Sequence, residues 1–179
     1  MKARIFSVIL CVMLVAFAFV YGALHGWQQD YSQVESTYAS LQQQLNTRVE
    51  TACNIMTVAR RHLNADDSAL LALKDARDVL SSAASLEKKA DANEMLTLYA
   101  EQVLTALSAL DTVQNDARDN MYVSTMLPQM LRESAAYTTQ SAYNTAAAGF
   151  NARFEKNVIS SFIARLFGMD TFEVFGAAE

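Results

Sequence analysis

Between Trp27 and Leu127 the chain contains neither glycine nor proline, and this limits what it can become more than any other feature. A β-rich fold needs Gly, Pro or Asn-Gly punctuation about every ten residues to turn its strands, and this stretch of roughly a hundred residues offers none. The expectation is therefore an all-α fold. Val34, Tyr38, Leu41, Leu45, Val49, Ala52, Met56, Ala59 and Leu63 recur three and four apart, which places them on one face of a continuous helix. Asn64, Asp66 and Asp67 interrupt that pattern and can cap a second helix carrying Leu70, Leu73, Ala76, Leu80 and Ala83. Asp91 and Glu94 read as a capping pair before a third helix with Leu98, Val103, Leu107, Leu110 and Val113. After the polar turn from Asn115 to Asn120, a fourth helix is expected to start near Met121 or Thr125, with Pro128 in its first turn, and to run through Phe154. Four long helices joined by short polar turns make an elongated antiparallel four-helix bundle, here over 27–157, followed by a short apolar C-terminal helix and tail over 158–179.

The first helix has a distinct leading section. Ile5 to Leu24 carries no charge, and about 20 apolar residues in a helix span the ~30 Å of a bilayer core. Lys2 and Arg4 precede it, and the next basic residue is Arg48, so the positive-inside rule puts 1–4 in the cytoplasm and the bundle outside. The expected membrane anchor is 5–24, with a cleaved signal peptide as the competing reading because Ala16-Phe17-Ala18 or Gly22-Ala23 could be offered to a peptidase, and a bacterial cytoplasmic membrane with an extracytoplasmic bundle is the expected address. Tyr21, Trp27 and Tyr31 fall where an interfacial aromatic belt sits. Ala18, Gly22 and Gly26 form a small-xxx-small ladder, a candidate surface for packing one anchor on another.

Charge and motifs exclude several classes. The net charge is −5 and the basic residues are scattered, which argues against nucleic acid as a partner. Cys11 and Cys53 fall in different environments, so no disulfide is expected. The two histidines, His25 and His62, lack the Glu-x-x-His spacing of di-iron bundles. With five scattered glycines the chain has no phosphate-cradling loop. Neither a cofactor nor an enzymatic activity is expected. Arg60, Arg61 and His62 could contact an acidic partner or a lipid headgroup, but such a run on a helix end reads first as a solvated terminus complementing the helix dipole.

The C-terminal third carries a recognisable pattern. Tyr143-Asn144 is followed seven residues later by Phe150-Asn151, and then by Ile163-Ala164-Arg165-Leu166-Phe167-Gly168-Met169 and Phe175. These resemble the paired Tyr-Asn motifs and the closing Ala-x-x-Phe-Gly-Phe of the LemA proteins. Gln44-Leu45, Arg48, Glu50, Asn54, Ile55 and Met56 fall in register with that family's Gln-Leu…Arg-x-Asp…Asn-Leu-Val segment. Ala52-Cys53 stands where the family has Ile-Pro, and Asn157-Val158 where it has Phe-Pro, so the chain resembles a divergent member. The resemblance implies one membrane helix and an extracytoplasmic antiparallel bundle, and brings no catalytic residues.

Residues seven apart share a helix face, so Tyr143 and Phe150 form one stripe with Asn144 and Asn151 along its edge. That stripe reads either as core packing or as a surface for a partner helix. Phe162, Phe167, Phe172 and Phe175 belong to a tail too apolar to be left wholly in water. It docks on its own bundle, on a neighbour or on the membrane. The functional expectation is a membrane-anchored scaffold or interaction protein of the cell envelope, held to the lipid bilayer. It would assemble as a homo-oligomer and engage other envelope proteins. The alternative is an extracytoplasmic ligand-sensing bundle that signals through a partner.

Overall fold

A computed structural model describes residues 2–139 and 142–176; Met1, at the expected cytoplasmic end, and 177–179, at the end of the expected tail, lie outside the described residues. The elements in chain order are α1 (Lys2–His62), α2 (Ser68–Ser81), α3 (Leu86–Ser108), α4 (Asp111–Gln114) and α5 (Ala117–Met121). A π-helical turn (Tyr122–Met126), α6 (Leu127–Thr139), α7 (Tyr143–Lys156) and α8 (Val158–Leu166) follow, with no strand among the described residues. The described residues fall into two compact units: those within Met1–Thr37 and Asn144–Phe172, and those within Tyr38–Tyr143 and Glu173–Glu179.

In the first unit, α1 opens as a helix long and apolar enough to cross a membrane once. Its side chains there point outward all round, Phe6, Val15 and Phe17 among them. From Trp27 onward one side is covered by α7. Trp27 packs edge-on against Phe150 and Phe154, with centroids 5.3 and 5.4 Å away, and Tyr31 meets Phe150 at 6.0 Å. Numbers fall on one helix as they rise on the other, so α7 runs antiparallel to α1. Arg153 lies over the Trp27 ring, 4.7 Å from its centroid, and pairs with Asp30. Such aromatic and cation–π contacts add about 0.5–1.5 kcal/mol each to the area they bury.

The second unit is built on the rest of α1, where Leu41, Leu45, Ala52, Met56 and Ala59 are buried as their spacing predicts. Asp67 caps α2 by accepting a hydrogen bond from Leu70 N–H at 3.0 Å. Several boundaries differ from expectation: α2 ends at Ser81 and α3 at Ser108, so Ala83 lies beyond the one and Leu110 and Val113 beyond the other, with Val113 in α4. Ser85, not Asp91, caps α3, accepting from Lys88 N–H at 3.4 Å. That puts Asp91 and Glu94 within the helix and turns its buried face to Leu96, Ala100, Val103 and Leu107, so Leu98 is exposed. Asp116 starts the next helical stretch at α5 by accepting from both Arg118 and Asp119 N–H groups, several residues before Met121. The π turn then bridges α5 to α6, with Leu127 N–H donating five residues back to Tyr122. Pro128 has no N–H to give the preceding turn, and widening that turn lets the helix pass through it. The expected single fourth helix is divided, since α6 ends at Thr139 and α7 starts at Tyr143; residues 140 and 141 lie outside the described residues.

At the centre of this unit lies Arg48, a fully buried guanidinium. Its Nε donates to Asn93 Oδ1 at 2.8 Å and its Nη2 to the Asn93 carbonyl at 2.9 Å and to Thr97 Oγ1. Its Nη1 donates to the Leu131 carbonyl and to Ser134 Oγ, both at 3.3 Å. Burial pushes its pKa down to about 10, so it stays charged at neutral pH. One side chain thereby joins α1, α3 and α6. Replacing it with Ala strands several buried acceptors, each costing about 1–3 kcal/mol, so Arg48→Ala should lower stability by roughly 3 kcal/mol or more. Arg48→Lys should restore little of that, because an ammonium lacks the planar fork. Denaturant unfolding of both variants checks this, and a wild-type midpoint for either would refute it.

Candidate functional site

The residues singled out from sequence go to three kinds of place. Tyr143 and Phe150 are buried. Tyr143 donates its hydroxyl to the Glu173 carbonyl at 2.5 Å and meets the Tyr38 ring at 5.5 Å. Burial, with the nearby Tyr38 and Glu173, pushes its phenol up to about 12. Asn151 is half-buried and closes a two-bond ring with the tail: its Nδ2 donates to the Phe172 carbonyl at 2.8 Å, and Phe172 N–H donates to its Oδ1 at 2.9 Å. A side-chain amide here takes the place of a backbone partner. Phe172 packs on Phe150 and Tyr31 at 5.1 and 4.8 Å. Asn144 and Phe175 are half-buried.

Phe162 and Phe167 behave otherwise. On α8, Val158, Ile159, Phe162 and Leu166, with Phe167 just after it, are between 61% and 75% exposed. At 100° per residue the first four and Ile163 cover an arc of about 140°. The opposite side, with Ser161 and Ala164, is buried. Gly168 ends the helix at φ 80°, where its N–H bonds the Arg165 carbonyl and Met169 N–H bonds the Ala164 carbonyl. That Schellman geometry needs a residue without Cβ strain, and it sends the chain back toward Asn151. α8 starts four residues after Phe154, and Arg165 near its end lies over the Phe154 ring at 5.1 Å.

Within the anchor ladder, Ala18 and Gly22 are exposed and Gly22 has open space around it. Gly26 faces its own chain, where an added Cβ would come within 3.4 Å of Arg153 Nη2.

Sequence reasoning missed one cluster. Asp119, in the polar turn, is 1% exposed and draws three cations or donors onto its carboxylate. His62 Nε2 lies 2.8 Å from Oδ2, and Arg61 and Arg118 lie 3.2 and 3.4 Å from Oδ1. His62 Nδ1 meets Thr112 Oγ1 at 3.1 Å. Arg61 and His62 are therefore engaged, not a freely solvated helix end. The only signal in the sequence was an acid in the turn and three bases on a helix end, with nothing to say they meet. Among the described residues no cluster of His, Cys, Asp or Glu is arranged to hold a metal.

Burial alone would raise the Asp119 pKa, but the His62 hydrogen bond and the Arg61 and Arg118 charges outweigh it and hold the carboxyl below its ordinary value. A depressed carboxylate contributes stability above its unfolded pKa of about 3.9 and loses it as pH falls through the folded value. The stability difference between wild type and Asp119→Asn should thus be widest above about pH 5 and should close below about pH 4. Thermal unfolding across that range checks it; a gap independent of pH would show that the cluster contributes through packing alone. No protein-family model and no curated protein matches this chain.

Proposed function

We propose that this chain is a non-enzymatic, membrane-anchored helical bundle of the cell envelope, akin to the LemA proteins, that serves as a self-assembling scaffold. The observation that carries this reading is the exposed apolar arc of α8, a helix whose Arg165 lies over Phe154, the ring that packs on Trp27 just past the end of the apolar run at Leu24. An up-down-up-down bundle is supported by the pairings along α1. Arg48 meets Leu131 and Ser134 while His62 meets Asp119, which makes α5–α6 antiparallel to α1. Arg48 meets Asn93 of α3 while His62 meets Thr112 of α4, so the chain from α3 into α4 runs parallel to α1.

Anchored copies share one height in the membrane plane, and tethering raises their effective concentration. A patch repeated at the same height on each copy can pair with itself about a two-fold axis. The same exposed apolar arc on a short helix supports a second reading, in which it rests on the lipid surface beside the anchor. Phe162→Ser with Phe167→Ser should lower the assembled mass of detergent-solubilised protein and leave helix content nearly unchanged. A wild type that is monomeric at every concentration would defeat assembly. In that case, quenching of a Phe162→Trp, Trp27→Phe variant by brominated lipids would identify the bilayer as the occupant.

The extracytoplasmic address follows from Lys2 and Arg4 before the anchor. An alkaline phosphatase fused after Glu179 should be active, and a fluorescent protein that folds only in the cytoplasm should stay dark. The reverse pattern would overturn the address.

A further inference from the structure

We infer that the cavity beside the Asp119 cluster is a binding site for a small organic carboxylate with an apolar body. The cavity has a volume of about 590 Å³, within the range that holds small ligands. One wall is a stripe along α1, with Asn54, Thr57, Val58 and Arg61 at i, i+3, i+4 and i+7, so an amide, a hydroxyl, an apolar side chain and a guanidinium share one helix face. The other wall is Arg118 of α5, Tyr122 at the start of the π turn, and Leu127 and Met130 of α6. π turns inside α-helices often accompany functional sites, because the extra residue redirects a side chain. This turn begins at the residue that lines the cavity.

The electrostatics select the ligand's head. Two guanidiniums flank the cavity and share a single carboxylate oxygen, Asp119 Oδ1, so at least one positive charge there is uncompensated in a chain of net charge −5. Arg118 commits only its Nε to Asp119 and its side chain is 65% exposed, which leaves its terminal N–H groups for an incoming anion. Guanidinium forks match carboxylate geometry, and the resulting hydrogen bonds are charge-assisted. The lining also selects the body. Of the lining residues Val58 and Leu127 are buried, Met130 is half-buried, and a ring or short aliphatic chain set against them would leave water. Inorganic phosphate satisfies the arginines but not this wall, and a neutral aromatic does the opposite. The inference stands apart from assembly through α8, and it supplies the pocket that a ligand-sensing bundle needs.

The test uses full-length protein in detergent micelles, with benzoate as the probe, benzyl alcohol as its uncharged counterpart and inorganic phosphate as the headgroup alone, each titrated by calorimetry. Benzoate should bind at least about tenfold more tightly than either control, and its affinity should fall as salt is raised. Arg118→Gln should weaken benzoate by about tenfold or more, and Arg118→Lys by less. Asn54→Asp places a negative charge in the exposed stripe and should abolish benzoate binding. Circular dichroism and melting curves show whether these surface variants keep the fold. Three results would each overturn the inference: no benzoate binding, equal binding of benzoate and benzyl alcohol, or unchanged affinity in folded Arg118→Gln. Phosphate binding as tightly as benzoate would instead assign a phosphate site and overturn the carboxylate class.

Discussion

The unit built from Tyr38 to Tyr143 depends on a buried cation satisfied by neutral groups. Taking a guanidinium out of water costs several kcal/mol, and Arg48 recovers it through hydrogen bonds to two backbone carbonyls and three side-chain oxygens on α3 and α6. Those bonds have directions, whereas the burial of aliphatic side chains in the same unit, Leu45, Leu96 and Leu131 among others, does not. Apolar packing supplies most of the driving force for three helices to meet. The fork at Arg48 selects which turn of α3 and which turn of α6 face that point on α1. A slip of either helix by one turn would leave a buried charge and several acceptors without partners. The lowered pKa at Arg48 is the electrostatic trace of the same desolvation.

In the other unit an aromatic cluster and an amide do comparable work. Trp27, Tyr31, Phe150, Phe154 and Phe172 meet at centroid distances typical of edge-on and offset rings, which positions α7 along α1. Asn151 then holds the returning tail by both its oxygen and its nitrogen. Between these two fixings the chain must leave α7, form α8 and come back within about twenty residues, which Gly168 makes feasible by accepting a left-handed backbone. The exposed apolar arc on α8 follows from that path. The helix buries the side with Ser161 and Ala164, and its other side carries the larger residues.

The Asp119 cluster shows how charge is distributed around a turn. A carboxylate at the start of α5 takes part in the macrodipole of its own short helix, and it also receives Arg61 and His62 from the last turn of α1, where cations are favoured. The two helix ends thus neutralise each other locally. What remains is the second guanidinium, Arg118, beside a cavity that Val58, Leu127 and Met130 also line.

Much of this was written in local periodicity. The absence of Gly and Pro from Trp27 to Leu127 made the chain helical, the charge-free run from Ile5 made α1 able to cross a membrane, and three-and-four spacing placed Leu41, Leu45, Leu73 and Leu107 inside. These features depend on neighbours within one or two turns, so a sequence can carry them unaided. Helix starts at Ser85 and Asp116 were less legible, since several Ser, Asp and Asn residues near each boundary are equally able to cap, and packing selects among them. The π turn before Pro128 and the division of the expected fourth helix answer to constraints on both flanks. Only the tertiary structure decided that Arg48 is a clamp and not a surface charge, that Arg61 and His62 meet an acid fifty-seven or more residues away, and that Asn151 holds Phe172. The physical reason is the same in each case. A polar side chain's worth depends on whether it is desolvated and what then satisfies it, and both are set by residues distant in sequence.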